Sequence, residues 1–447
     1  MGTDLTLAER IAALSRPEAY PHPVSAVAIC QTHISVVFLA GEFAYKIKKP
    51  VRLSFADFST LDRRRHFCDE EVRLNRRLAP TVYRGVVPVT AAGTTVTVAG
   101  QGEVIDWAVQ MERLPAEATL QRRLRRGEVG PEAISALARK VAAFHRQAEG
   151  GAAVAALAGR DAVARNVLDN FTEGVAVGVT VSAAVFDRLQ ALTRAELDRV
   201  GPILQSRAER GVPRDLHGDL RLEHVYLFPD RPPPADLVVI DCIEFNERFR
   251  FIDPVADAAF LIMDLARVGR RDLAAHFADE YFAATGDAEG RALLPFYMAY
   301  RASVRGKVEA LKSQEPEVPE TERAAAQTES RAHWLLALTE LEAPPRRPCL
   351  LLTAGLPGAG KSTLARALAE RLGVDVIRSD VVRKELAAGA ADIYARVWSE
   401  RTYAECLRRA EGLLFEGRRV LLDANFRKEA VRLPFLELAE RWGVPVE

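Results

Sequence analysis

The sequence predicts two modules of different class in one chain. An α+β module, antiparallel strands leading into helices, spans residues 20–340, and an α/β module built on a parallel sheet spans 349–447. Three observations carry this. GLPGAGKSTLARAL at 355–368 follows a short apolar run and opens a helical pattern. HGDLRLEH at 217–224 and VVIDCIE at 238–244 put Asp219 and Asp241 22 residues apart, the span of a β-hairpin. Between the modules, EAPPRRP at 342–348 has three prolines, two arginines and no apolar period, so residues 341–348 read as a linker.

Composition narrows the partners. Of 447 residues, 49% are hydrophobic and 27% charged, which is ordinary for a globular chain with two or three domains. Lys+Arg and Asp+Glu are both 61, so the formal net charge is zero. That argues against bulk electrostatic binding to nucleic acid or to an anionic membrane. The densest basic run, RRLRR at 122–126, reads as a solvated helix face. Five scattered cysteines without a C-x-x-C pair read as reduced thiols of a cytoplasmic protein. No apolar run approaches the ~18 residues of a membrane helix.

In the first module, Ser35–Leu39 and Phe43–Lys48 read as strands joined by a turn at Gly41-Glu42. Phe67, Glu71, Leu74 and Leu78 recur at helical spacing, so Glu71 lies on an apolar helical face and needs a buried partner. Lys46 is the obvious one; Glu70 points elsewhere. Plainer alternatives stand beside these. Lys46 is one of three strand lysines with Lys48 and Lys49, all solvated; Glu71 pairs with a neighbouring arginine; Asp253 and Asp257 cap a helix. His145, on an Ala-rich helix over 131–148, reads as packing rather than chemistry.

These residues resemble the aminoglycoside phosphotransferase-like kinases, which use HGD and ID where protein kinases use HRD and DFG. The fold implied is a two-lobed, α+β protein kinase-like domain. The resemblance makes Asp219 the catalytic base, Asp241 a Mg²⁺ ligand and Lys46, paired with Glu71, the phosphate lysine. VQMERLP at 109–115, with Glu112 in it, looks like the hinge that receives adenine through backbone groups, and DPVAD at 253–257 is similar to the D-P-x-x-D segment that follows in that family. Two features depart from the pattern. His224 stands at the metal-binding Asn position; Mg²⁺ takes imidazole poorly, so a second metal is absent, held by Glu244, or replaced by a His–phosphate contact. Gln31-Thr32-His33 stands where a glycine-rich loop would be.

In the second module, Gly355, Gly360, Lys361 and Ser362 fit G-x-x-x-x-G-K-[ST], after the apolar run Cys349–Ala354 and before Leu364, Leu368 and Leu372 at helical spacing. Gly355, Gly358, Gly360 and Thr363 would turn backbone N–H groups onto phosphates; Lys361 would reach the β- and γ-phosphates, and Ser362 would hold Mg²⁺. Further apolar runs end at Ser379-Asp380 and at Asp423, the latter at a Walker-B position for Mg²⁺. Asp380-x-x-Arg383 and DANF at 423–426 resemble polynucleotide kinase-like P-loop kinases, which makes Asp380 a base and Arg383 a substrate ligand. Alternatively Asp380 caps a helix and Arg383 is solvated. A fourth strand starts at Val444 and Val446 as the sequence stops, so this module is expected to be incomplete.

The tandem resembles bacterial bifunctional aminoglycoside phosphotransferase/ATP-binding proteins over nearly the whole chain. FNERFR at 245–250 and the flanks of Lys46–Pro50 look particular to that family. ATP, Mg²⁺ and a small-molecule hydroxyl acceptor are the implied ligands. Two other classes stay open: a nucleotide-sensing pseudokinase that regulates a P-loop ATPase, and a nucleic-acid 5′-hydroxyl kinase.

Overall fold

Six antiparallel strands open the architecture: β1 (Val27–Gln31), β2 (Ser35–Ala40), β3 (Phe43–Lys48), β4 (Tyr83–Ala92), β5 (Thr95–Val98) and β6 (Glu103–Glu112), in the order β1-β2-β3-β6-β4-β5. The computed structural model describes residues 5–446 except 54, 94, 173–175, 317, 357 and 388–394. The chain divides into two units. The first holds the residues up to Ala158 together with Ala208–Ala258 and Asp279–Thr285; the second holds Gly159–Arg207, Ala259–Ala278 and everything from Gly286 onward.

In the first unit the strand period of two assigns the faces. Val36, Phe38, Tyr45 and Ile47 pack with Leu14 and Tyr20 on one side of the sheet. Val37, Leu39 and Ala44 join Cys68, Val72 and Val109 on the other, under the helix Leu61–Asn75. Thr60 caps that helix by accepting the Arg63 N–H at 3.3 Å. Lys46 and Lys48 share the parity of Ala44, so β3 carries both toward this helix. Below lie two short antiparallel pairs. β7 (Arg214–Asp215) pairs with β10 (Phe251–Ile252), and β8 (Val225–Leu227) pairs with β9 (Leu237–Val239). The β8–β9 hairpin is the one the spacing of Asp219 and Asp241 predicts. The helix Pro131–Gln147 buries Ile134, Leu137, Val141 and His145.

The second unit contains a parallel sheet, β11 (Cys349–Thr353), β12 (Asp375–Arg378) and β13 (Arg419–Asp423), in the order β11-β13-β12. Val446 adds a parallel bridge to Leu350 on the other edge of β11. The segment read as a linker is a tied-down turn: Pro344–Arg346 is a 3₁₀ helix, and Arg347 Nε donates to the Glu342 carbonyl at 3.1 Å. Around the sheet, the helix Glu429–Trp442 packs on the helix Glu320–Leu341. Arg331 of the latter stands 5.3 Å from the Phe415 ring and 5.9 Å from that of Trp442. Gly417 (φ +65°) lies so close to this packing that an added Cβ would fall 2.8 Å from Val185 and 3.0 Å from Leu338. Among the described residues no helix is long and apolar enough to cross a membrane.

Candidate active sites

The first unit gathers its charged groups from four distant segments. Lys46 Nζ lies 2.9 Å from Glu71 Oε1 and 2.7 Å from Asp241 Oδ1. Burial works against the Lys46 ammonium, but Asp241 and Glu71 outweigh it and hold its pKa well above the usual lysine value. Burial likewise pushes Glu71 up, and Lys46 and Lys48 overcome it, so its carboxyl titrates below the ordinary range. Asp241 is pushed up by burial and brought below its ordinary value by Lys46 and then His224. Glu70 is turned away and pairs with Arg73 at 2.7 Å.

Lys48 is the residue that reading the strand lysines as solvated misses. Its side chain is 0% exposed, and its ammonium pairs with both Glu71 and Glu244. Burial lowers its pKa, yet Glu244 and Glu71 raise it overall. Glu244 therefore faces Lys48. The available signal was strand parity: what directs Lys46 to the helix directs Lys48 there too.

The loop carrying Asp219 is held from behind. Asp257 accepts the N–H of His217 at 3.1 Å and of Gly218 at 2.9 Å, and His145 Nε2 lies 3.2 Å from the same carboxylate. Asp257 is thus a loop clamp and not a helix cap, whereas Asp253 does act as a cap by accepting the Val255 N–H at 2.9 Å. Gly218 (φ +84°) admits no side chain, because a Cβ would stand 2.8 Å from the Phe249 carbonyl oxygen. His217 Nε2 lies 2.9 Å from the Ile240 carbonyl, and the Asp219 N–H points at its Nδ1 at 3.3 Å. Those partners fix the neutral ring with its proton on Nε2. Burial pulls His217 below its usual pKa, against the pull of Asp257.

Asp241 adopts φ +66°, a left-handed conformation for a residue with a side chain, and its N–H donates to the Tyr83 hydroxyl at 3.2 Å. Strain of this kind, ~1–3 kcal/mol, collects at functional sites. His224 Nδ1 lies 2.8 Å from the Asp219 carbonyl, which can only accept, so the proton sits on Nδ1. Its Nε2 lies 3.7 Å from Asp241 Oδ2. A carboxylate and an imidazole thus stand side by side; of the two, the carboxylate oxygen is the donor that suits Mg²⁺. Among the described residues no group of three or more His, Cys, Asp or Glu side chains could hold a metal ion. Mg²⁺ at phosphate sites needs only one or two carboxylates beside the phosphates.

Two features differ from a nucleotide cleft as the sequence pictures it. The Glu112 N–H donates to the Val82 carbonyl and the Arg113 N–H to that of Glu42, at 2.9 and 2.8 Å, so neither is free for adenine in this conformation. The Glu112 carboxylate pairs with Arg231 at 3.2 Å. The β1–β2 connection is a tight turn in which the Thr32 hydroxyl accepts the Ser35 N–H at 3.0 Å. Arg122 and Arg126 of the basic run pair with Glu117 at the surface.

The second site is local in sequence. Gly355, Gly358 and Gly360 all have positive φ, and the helix Lys361–Leu372 starts directly after the last of them. Pro357 of this loop lies outside the described residues. Lys361 Nζ donates to the Leu356 carbonyl at 2.7 Å, and Ser362 Oγ donates to Asp423 Oδ2 at 2.7 Å. Thr363 follows in the first turn, its N–H on the Gly360 carbonyl at 3.0 Å. A cleft of about 290 Å³ is lined by Lys361, Ser362, Asp380, Asp423 and Asn425. Asp380 is exposed in the first turn of the helix Ser379–Leu386, whose cap position is Arg378, so it does not cap that helix. One turn on, Arg383 is buried rather than solvated, and its Nη1 donates to Ser399 Oγ at 3.0 Å. It lines a neighbouring cavity of about 820 Å³ with Tyr403, Asn425, Arg427 and Lys428. Asn425 borders both spaces.

Comparison with known proteins finds similarity over nearly the whole chain and a further match at its C-terminal part. The family described as an AAA domain matches residues 350–447. Uncharacterized protein Rv2004c of Mycobacterium tuberculosis is 33% identical over 425 residues, covering 92% of this chain and 81% of that protein. A shikimate kinase of Thermobifida fusca is 33% identical over 102 residues, 21% of this chain and 59% of the enzyme. A choline/ethanolamine kinase family protein from Mesorhizobium loti aligns with 75% of this chain and 95% of its own, at 13% identity and a TM-score of 0.42. The kinase-like fold is recognised from the strand order, the helix carrying Glu71 and the Lys46–Glu71–Asp241 arrangement.

Proposed function

The chain belongs to the family of the mycobacterial protein Rv2004c, and from that premise we propose that it joins an aminoglycoside phosphotransferase-like part to a P-loop kinase-like part and is an ATP- and Mg²⁺-dependent phosphotransferase acting on a small-molecule hydroxyl. The observation that carries this is Lys46 held between Glu71 and Asp241, beside a clamped loop that presents Asp219. Asp219 accepts the acceptor's hydroxyl proton. The γ-phosphoryl group passes to the acceptor oxygen, ADP is the leaving group, and Lys46 holds phosphate oxygen. Asp241, beside His224, would hold a divalent cation, which supplies charge neutralisation to the phosphates. Glu112 and its hinge would take adenine after the Val82 and Glu42 contacts give way.

At the second site Lys361, the glycine N–H groups and Thr363 would bind ATP, and Ser362 with Asp423 would hold its cation. Asp380 would be the base. The acceptor would lie in the cavity of Arg383, Arg427 and Lys428, whose charge suits an anionic molecule. The domain limits 20–340 and 349–447 and a cytoplasmic location belong to the same proposal; five unpaired cysteines support the latter.

A second reading has one observation in its favour: engaged hinge N–H groups and a tight Thr32 turn suit a nucleotide-sensing pseudokinase acting on the P-loop part. One experiment decides. Mg²⁺-dependent ATP turnover is measured for wild type, Asp219→Ala and Lys361→Ala with aminoglycosides, sugars, nucleosides and a 5′-hydroxyl oligonucleotide. Loss of transfer to a small molecule in Asp219→Ala alone supports the first reading. Turnover that depends on Lys361 only supports the sensor, and salt-sensitive transfer to the oligonucleotide supports a nucleic-acid kinase.

A further inference from the structure

Lys48 and Glu244 have no part in the chemistry above, yet they are buried charges wired into it. The Glu71 carboxylate is shared between two lysines: Oε1 faces Lys46 at 2.9 Å, and Oε2 accepts from Lys48. Lys48 also donates to Glu244 and lies 5.6 Å from the buried Phe58 ring. Three segments meet there. Lys48 is two residues beyond Lys46 on β3, Glu71 is on the helix Leu61–Asn75, and Glu244 is three residues beyond Asp241.

We propose that Lys48 and Glu244 are a positioning pair for phosphate capture. Without Lys48, Lys46 would be the single ammonium among Glu71, Asp241 and Glu244 and would be pinned by them. With Lys48 holding one oxygen of Glu71 and one of Glu244, the helix and the segment after Asp241 stay in register. Lys46 can then exchange Asp241 for a nucleotide phosphate while Glu71 keeps its place. A merely structural ion pair would not need to share its acceptor with the phosphate lysine. The inference rests on the kinase reading of the first site.

The test uses the full chain carrying Lys361→Ala, which silences the P-loop site, and reads Mg·ATP affinity by calorimetry beside the melting temperature. Lys48→Met alone leaves Glu244 buried without its cation and is expected to melt early. The double variant Lys48→Met/Glu244→Met removes both charges at similar volume, and a swap of this kind is close to neutral for folding. It is expected to melt like its parent and to bind Mg·ATP about tenfold more weakly. Native melting with parental affinity would overturn the proposal and leave the pair a folding device. Lys48→Arg keeps the cation and alters its reach; weakened Mg·ATP binding at native melting temperature supports positioning, and unchanged binding opposes it. Absence of nucleotide binding in the Lys361→Ala parent overturns the kinase reading, and this inference with it.

Discussion

The two candidate sites are built by opposite means. In the first, charged side chains form the site, and they come from far apart: Lys48 and Glu244, which pair there, are separated by 196 residues. In the second, Gly358 and Gly360 lead directly into the helix Lys361–Leu372, and Asp423 comes to Ser362 from a distant strand. A site of buried, mutually neutralising charges is bound up with the stability of its unit. A backbone loop at the surface is not. Substitutions should therefore cost folding at the first site and chiefly binding at the second.

Glu71→Gln gives the largest expected effect. It leaves two buried lysines short of a carboxylate, and denaturant unfolding should report a loss of about 3–5 kcal/mol. Asp423→Asn, which weakens one hydrogen bond with Ser362, should lose about 1 kcal/mol. Equal losses would break the contrast. Glycines sharpen it. Gly218→Ala combines a left-handed φ with a backbone clash and should cost about 2–4 kcal/mol. Gly358→Ala meets no atom within 4 Å and bears the φ term alone, about 1 kcal/mol in the same measurement.

A pH series comes next in size. His217 is held neutral, with a folded pKa below its ordinary 6.5, and it is faced by Asp257, His224 and Asp219. Between those two pKa values the unfolded chain binds the extra proton, so stability is present above about pH 6.5 and is lost as pH falls through the folded value. The unfolding midpoint of the first unit should decline on acidification, and His217→Asn should remove that part of the decline. The smallest effect is expected of Arg122→Ala. Its ion pair with Glu117 is half exposed, so neither the melting temperature nor oligonucleotide affinity should change measurably.

The same contrast explains what could be read in the sequence. Gly355 to Ser362 was legible because its geometry is local: strand, loop and helix follow one another in the chain. Asp219 and Asp241 were legible through their spacing, and Lys46 with Glu71 through one strand and one helical period. Lys48 was not, because Lys-Ile-Lys-Lys looks solvated until β3 is known to be covered on both faces. Asp257 and Asp253 look alike as caps; only the fold brings Asp257 under the loop of His217 and Gly218. Burial of Arg383 depends on Ser399, in a helix that begins beyond residues 388–394.

Arg331, lodged against Phe415 and Trp442, has a consequence for cooperativity. Melting the P-loop sheet and its helices would take both rings away from Arg331 on the helix Glu320–Leu341, and opening that helix would strip the cover from Trp442. The amides of Glu320–Leu341 and Glu429–Trp442 should therefore exchange their hydrogens as one block, although a run of prolines stands between them in the chain.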